Sequence, residues 1–230
     1  MSEHIYGYGS STGTVSGAQR NQVLRNTYWL LALSMLPTVL GAWVGVATGL
    51  TSALSPGVSL MLFLGGAFGF MFAIEKTKHS AAGVPVLLAF TFFMGLMLSR
   101  LLGKVLGLAN GAELVMTAFA GTGLVFLGMA SLSSVIQRDL SAMGKWLFVG
   151  ALLILVAGIA NMFLQSGALM VTISVLSVGI FTAFILHDLK RVQDGLETNY
   201  ITATLGVYLS LFNLFQALLM LLGIAGGRED

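Results

Sequence analysis

An aspartate that directly follows a long apolar run is the strongest candidate for chemistry in this chain. Asp188 comes after the apolar sequence FTAFIL and His187, near the end of the sixth of seven hydrophobic segments. An ionisable side chain beside the polar face of a helical bundle is typical of an ion or proton pathway. The alternative is an ordinary interfacial aspartate that is hydrated and paired with Lys190 or Arg191.

The last hydrophobic segment carries small and polar residues along one side. They recur every three or four positions and so share a helix face, and they are Thr202, Gly206, Ser210, Asn213 and Gln216. Lipid cannot satisfy hydrogen bonds, so such a face turns towards other helices or a wet cavity. The sequence therefore predicts that the last helix is central in the bundle. The candidate residues for an ion or proton pathway, or for polar contacts between helices, are Asp188, Ser210, His187, Asn213 and Gln216.

The sequence contains no pattern typical of catalysis or of a bound cofactor. It has no HExxH or GxSxG sequence and no phosphate-cradling loop followed by lysine. The absence of cysteine excludes disulfides, thiol chemistry and thiolate metal sites. The three histidines, His4, His79 and His187, are scattered over a tail, a loop and a helix end, which argues against a metal site. We therefore predict a protein that is not an enzyme and that holds neither a cofactor nor a metal.

The composition predicts a membrane protein that crosses the bilayer several times. Only 9% of the residues are charged and 57% are hydrophobic, whereas soluble domains have about 25% charged residues. The net charge of +2 comes from lysines and arginines in loops and does not indicate a nucleic-acid-binding face. At about 20 residues per span, 230 residues accommodate about seven helices. The predicted fold is an all-α membrane protein with spans at about 27–49, 57–75, 82–102, 112–136, 145–165, 168–187 and 200–224.

The segments outside the spans predict the orientation. With a cytoplasmic amino terminus and a periplasmic carboxyl terminus, the basic residues on the cytoplasmic side are Arg20, Arg25, Lys76, Lys78, Arg138, Lys145, Lys190 and Arg191. The other side holds Arg100, Lys104 and Arg228, so the cytoplasmic side carries the excess. Arg100 and Lys104 form a basic pair on the disfavoured side. An ion pair with Glu113 across the same loop is expected to neutralise them, and anionic lipid is the alternative.

Both ends of the chain are predicted to be tails. Residues 1–25 are rich in glycine, serine and threonine towards their start and lack the apolar content to fold alone, so they predict a flexible cytoplasmic tail. Residues 226–230 form a short carboxyl-terminal tail.

Several stretches resemble the transmembrane Bax inhibitor family, and in particular its bacterial YccA-type branch. The longest begins with HDL at 187–189 and continues as ETNYITATLGVYLSLFNLFQALLMLLG at 197–223. The others are VLRNTYWLLALS at 23–34, ANMFLQ at 160–165 and GLETNYI at 195–201. The resemblance covers nearly the whole chain. It implies a Bax inhibitor-like bundle of seven helices with the last helix at its centre.

The resemblance to the YccA-type branch also implies a function and a partner. Proteins of this type are bacterial inner-membrane substrates and modulators of FtsH, the membrane-anchored ATP-dependent protease, and they limit its degradation of other membrane proteins. The expected partners are therefore the FtsH complex and the lipid bilayer. The protease would grip the cytoplasmic tail, and the candidate handle is Met1, Ser2, Glu3, His4, Ile5 and Tyr6.

Other members of the family are pH-sensitive calcium leak channels, which gives the alternative function. In them, two aspartates on helices six and seven share a proton and gate the pore. Asp188 matches the first aspartate, but Ser210 stands at the position of the second and cannot ionise. A shared-proton latch needs two neighbouring carboxylates, so this departure removes it, although a hydrogen bond between Ser210 and Asp188 would still join the helices. The alternative is thus a calcium or proton leak through Asp188 and the polar face of the last helix.

Overall fold

The computed structural model describes residues 17–227, and this range forms seven helices with no strand. All seven are long and apolar enough to cross a membrane, which confirms the predicted all-α architecture. The helices are α1 (Gly17–Thr48), α2 (Pro56–Thr77), α3 (Gly83–Leu106), α4 (Gly111–Val135), α5 (Met143–Leu164), α6 (Gly167–Gln193) and α7 (Tyr200–Gly226).

The first helix begins well before the predicted span. Residues 17–25 are helical, where the sequence predicts a flexible tail. Val23 is buried against Val192 of α6 and Ala203 of α7, and the guanidinium of Arg20 donates to the carbonyl oxygen of Gln193 at 3.1 Å. These tertiary contacts stabilise the additional helical turns at 17–25. Composition alone does not predict such contacts. The remainder of the predicted tail, residues 1–16, lies outside the described residues, as do residues 228–230.

The sixth helix is also longer than predicted. It continues to Gln193, whereas the apolar run places its end at residue 187. Leu189 and Val192 in the extension are fully buried, and Lys190 pairs with Asp194 one turn later at 2.6 Å. The charged end of α6 is therefore an amphipathic continuation of the helix, and Asp188 lies within the helix instead of at its end.

The last helix is at the centre of the bundle, as the sequence predicts. α7 packs against α1, α2, α3, α4 and α6, whereas α5 packs against α6. Val207, Leu214 and Leu219 of α7 are completely buried. The outer helices instead present large apolar side chains to their surroundings, and Trp146 and Phe163 of α5 are 78% and 83% exposed. Such an outward apolar surface suits a lipid environment.

Glycines bring α1 and α3 into direct backbone contact. A Cβ atom on Gly41 would overlap the carbonyl oxygen of Phe92, and one on Gly95 would overlap the carbonyl oxygen of Thr38. Small residues at a crossing let two helix backbones approach closely, which stabilises helix pairs where the surrounding lipid is as apolar as the side chains. The α1–α3 pair is therefore a fixed wall of the bundle, and α7 packs against both of its helices.

Contacts between helix ends define the two ends of the bundle. Asn199 donates from Nδ2 to the carbonyl oxygen of Lys78 at 2.9 Å, and Arg20 contacts Gln193. One end of the bundle is therefore formed by the loop 78–82, the loop 194–199 and the start of α1. We call this the basic end. At the opposite end, Arg100 of α3 donates to Oγ of Ser59 near the start of α2 at 3.0 Å.

Cysteine labelling tests the predicted orientation, because the natural chain contains no cysteine. Ala53 and Ala81 are both exposed and lie in loops at the opposite end and the basic end, respectively. If the basic end is cytoplasmic, a membrane-impermeant maleimide applied to spheroplasts will label Ala53→Cys. It will label Ala81→Cys only after the membrane is permeabilised. The cysteine-free parent gives the background, and the reverse labelling pattern would contradict the orientation.

Candidate functional site

Asp188 of α6 forms a polar cluster with His187 and with Ser210 of α7. Oδ1 of Asp188 is 3.1 Å from Nδ1 of His187, and Oδ2 accepts a long hydrogen bond from Oγ of Ser210 at 3.5 Å. The side chains of His187 and Asp188 are 8% and 17% exposed. The structure therefore brings together three of the five residues that the sequence proposes for an ion pathway or an interhelical contact.

Two glycines make room for this cluster. At Gly206, one turn before Ser210 on α7, a Cβ atom would lie 3.1 Å from Oδ2 of Asp188. At Gly144 on α5, a Cβ atom would lie 2.7 Å from Nε2 of His187. Each glycine lets a polar side chain of α6 approach a neighbouring helix backbone. Gly206 carries no polar group itself. It belongs to the polar face of α7 because its missing side chain leaves space for the carboxylate of Asp188.

The basic residues next to Asp188 in the sequence have other partners. Nζ of Lys190 is 2.6 Å from Oδ1 of Asp194, and the guanidinium of Arg191 is 3.9 Å from Oε2 of Glu197. The predicted pairing of Asp188 with Lys190 or Arg191 is therefore not formed, because each base pairs with another carboxylate. Lys190 and Asp194 are four residues apart and share one helix face, whereas Asp188 and Lys190 are two residues apart and do not face each other.

The cluster can hold a proton between a carboxylate and an imidazole, but it lacks the parts of a two-carboxylate latch. Within residues 17–227, no second carboxylate is paired with Asp188. No group of three side chains suitable for a metal ion occurs in the same range. Ser210 donates more closely to its own helix, at 3.0 Å to the carbonyl oxygen of Gly206, than to Asp188. The site is therefore a contact between α6 and α7 with one ionisable carboxyl group.

The rest of the polar face of α7 has different surroundings. Oγ1 of Thr202 is buried and has no hydrogen-bond partner among the described residues. Nδ2 of Asn213 donates to the carbonyl oxygen of Leu209 at 2.8 Å. Asn213 and Gln216 line a cavity of about 770 Å³ that extends towards the opposite end of the bundle. The two amides are therefore separate from the Asp188 cluster, although they share one side of α7 with Ser210.

Tyr208, the largest fully buried side chain of α7, is not among the site residues predicted from the sequence. It is 1% exposed, and its hydroxyl is 2.9 Å from Oγ1 of Thr38 on α1 and 3.4 Å from the carbonyl oxygen of Thr91 on α3. Thr204, one turn earlier, has its hydroxyl 3.4 Å from the carbonyl oxygen of Thr27. Thr204 and Tyr208 are four residues apart, and this spacing indicates a second row of hydroxyl groups along α7. The proposed protease handle, residues 1–6, lies outside the described residues.

Comparisons with known proteins match the chain over nearly its whole length. A model of the Bax1-I family, described as inhibitor of apoptosis-promoting Bax1, matches residues 20–227. A protein of Escherichia coli K12 named modulator of FtsH protease YccA is 36% identical over 216 residues, which are 94% of this chain and 96% of that protein. An uncharacterized membrane protein of Vibrio cholerae is 35% identical over 211 residues, covering 92% of this chain and 93% of its own length.

The close approach of Asp188 to α7 can be tested by substitution of Gly206. A Gly206→Leu side chain would occupy the space of the Asp188 carboxylate and force α6 away from α7. Overpacking of this kind costs about 1–3 kcal/mol, so we expect a lower thermal unfolding temperature for the purified chain in detergent. Gly128→Leu on α4 is the matched control, because a Cβ atom there meets nothing within 4 Å. Equal unfolding temperatures for the two variants would show that α6 and α7 are not closely packed at Gly206.

Proposed function

The chain belongs to the Bax1-I family, and we propose that within this family it is an inner-membrane modulator of the FtsH protease. In this proposal the protein is not an enzyme. It binds the protease, competes with other substrates and thereby limits their degradation.

The similarity to the protein named modulator of FtsH protease YccA carries this proposal. It extends over 94% of the chain, so it reaches into all seven helices and is not confined to one motif. A second relative, from Escherichia coli O6:H1, is named inner membrane protein YccA and is also 36% identical. An inner-membrane location would place the chain in the same bilayer as a membrane-anchored protease.

The described part of the molecule offers a protease little surface outside the membrane. The segments between helices are short, and they are residues 49–55, 78–82, 107–110, 136–142, 165–166 and 194–199. None could form a domain of its own. Each loop is joined to a helix at both sides. A protease that pulls on this protein from the cytoplasm would therefore need to engage one end of the protein chain.

The amino-terminal segment is the proposed handle. The first turns of α1 are exposed from Gly17 to Gln22 and lie at the basic end. Residues 1–6 would then extend into the cytoplasm under the predicted orientation. The whole segment of residues 1–16 is rich in glycine, serine and threonine, and this composition suits an extended segment that a protease can engage.

Cellular half-lives test the handle. We expect the full chain to be degraded in cells with FtsH and to persist several times longer when FtsH is depleted. A chain that lacks residues 2–16 should persist in both conditions, because the truncation removes the handle and leaves α1 intact. The measurement is a pulse-chase of the full-length and truncated proteins in both backgrounds.

Two controls separate the sequence of the tail from its length and from the Asp188 cluster. A chain in which residues 2–16 are replaced by a glycine-serine segment of equal length tests whether any flexible tail suffices. Asp188→Asn should be degraded like the parent, because modulation does not require the carboxylate. The proposal fails if the full chain has the same half-life with and without the protease.

A calcium or proton leak is the second candidate, and the partial burial of Asp188 of α6 against α7 is the observation that favours it. An ionisable residue within the span of a membrane helix is a default candidate for an ion pathway. Against it, the oxygen that faces Oδ2 of Asp188 is the hydroxyl of Ser210, 3.5 Å away, and not a carboxylate.

Replacement of Ser210 tests this second function. In Ser210→Asp, two carboxylates would lie so close that they share a proton at low pH and repel each other once both are charged. We expect calcium flux into proteoliposomes to rise with pH for Ser210→Asp, and to stay low and independent of pH for the parent and for Ser210→Asn. A flux through the parent that Asp188→Asn abolishes would instead establish the leak as a function of the natural chain.

A further inference from the structure

A lateral cavity between α3 and the α5–α6 pair is a feature that the proposed protease modulation does not use. Its volume is about 770 Å³, and α7 contributes Asn213, Gln216 and Ala217 to its wall. Its other walls include Leu101 of α3 and Ile159 of α5 and are mostly apolar. Ligand pockets for small molecules generally have volumes of about 300–1,000 Å³, so this cavity is large enough for an acyl chain.

Two basic side chains line the cavity at the opposite end of the bundle. They are Arg100 and Lys104, one turn apart near the end of α3, and the lining of the cavity includes no acidic side chain. Because a helix rises 1.5 Å per residue, Lys104 lies about 3 Å and Arg100 about 9 Å below Leu106, the last residue of α3. This depth corresponds to the level of lipid headgroups and the adjoining acyl chains.

The ion pair predicted from the sequence at this loop is not formed. Within residues 17–227, Glu113 makes no ion pair with Arg100 or Lys104. Arg100 donates to Oγ of Ser59 at 3.0 Å and to the carbonyl oxygen of Leu54 at 3.4 Å, both of them uncharged acceptors. A guanidinium has five N–H donors, so Arg100 retains donors for a further ligand. Two positive charges therefore stand at an apolar cavity without a negative partner from the described chain.

We propose that this cavity binds one anionic phospholipid from the leaflet at the opposite end of the bundle. Its phosphate would lie between Arg100 and Lys104, and an acyl chain would extend along the apolar wall towards Asn213. The arrangement satisfies both requirements of the site, since the charges gain a counter-ion and the apolar wall is covered within the membrane. A bound lipid also accounts for a basic pair on the side of the membrane where lysine and arginine are disfavoured.

Charge complementarity distinguishes this occupant from water and from a peptide. Water would leave an apolar wall wetted at membrane depth, which is unfavourable. A peptide segment would bring backbone groups that need hydrogen bonds, and few groups in the wall can provide them. An anionic lipid needs no bonds along its acyl chain, and its phosphate needs the two cations that are present. Lipid binding in this cavity is independent of FtsH modulation.

Native mass spectrometry of the purified full-length chain tests the proposal. The protein in neutral detergent is titrated with dioleoyl phosphatidylglycerol or with dioleoyl phosphatidylcholine, which have the same acyl chains. We expect one phosphatidylglycerol to bind at least about fivefold more tightly than phosphatidylcholine. Lys104→Gln should reduce this preference by about fivefold, the effect of one basic side chain near an anionic lipid. Lys104 is exposed and makes no hydrogen bond or ion pair within the described chain, so this variant should fold normally.

Matched variants test whether the charge and the cavity are the cause. Lys145→Gln removes an exposed charge at the basic end and should leave the preference unchanged. Gly158→Leu fills the cavity and should weaken the binding of both lipids, whereas Gly123→Leu on the exposed side of α4 should not. The proposal is overturned if the parent binds both lipids equally. It is also overturned if Lys104→Gln and Lys145→Gln have equal effects, or if Gly158→Leu binds lipid as well as Gly123→Leu does.

Discussion

Lipid offers no hydrogen bonds, and this constraint determines where each polar group of the molecule lies. Most hydroxyl groups in the spans donate to a carbonyl oxygen one turn earlier in the same helix, as Thr27, Ser34 and Thr122 do. A side chain that needs a partner elsewhere must face protein. α7 carries several such side chains, so it occupies the centre, where Tyr208 reaches α1 and α3 and Ser210 reaches α6.

The same constraint explains why glycine has such a large part in the packing. In lipid, burial of apolar surface does not drive helix association. Close packing of the helices and interhelical hydrogen bonds must therefore stabilise the bundle. Gly41 and Gly95 allow the backbones of α1 and α3 to touch, and Gly206 allows a carboxylate to reach α7. Where no such contact is made, as between α3 and the α5–α6 pair, a cavity remains.

The sequence predicts the number of helices and the central position of α7, because apolar length and polar periodicity are properties of single segments. It does not predict features that depend on contacts between segments. The helical turns at 17–25 form because Val23 meets Val192 and Ala203, which are distant in the chain. The pairing of Lys190 with Asp194 instead of Asp188 depends on α6 continuing to Gln193. Tyr208 resembles any other aromatic residue of an apolar run until its hydroxyl is seen between two helices.

The two polar features of α7 are adjacent but chemically distinct. Ser210 contacts Asp188, and Asn213, less than one turn further along, already lines the cavity. An ion that crosses the bundle would have to pass from the cavity to Asp188 at this point. A lipid chain in the cavity would exclude water from that route and leave Asp188 accessible from the basic end alone. Lipid binding and protease modulation are therefore compatible in one molecule, since neither requires a continuous pore, whereas a leak would require the lipid to leave.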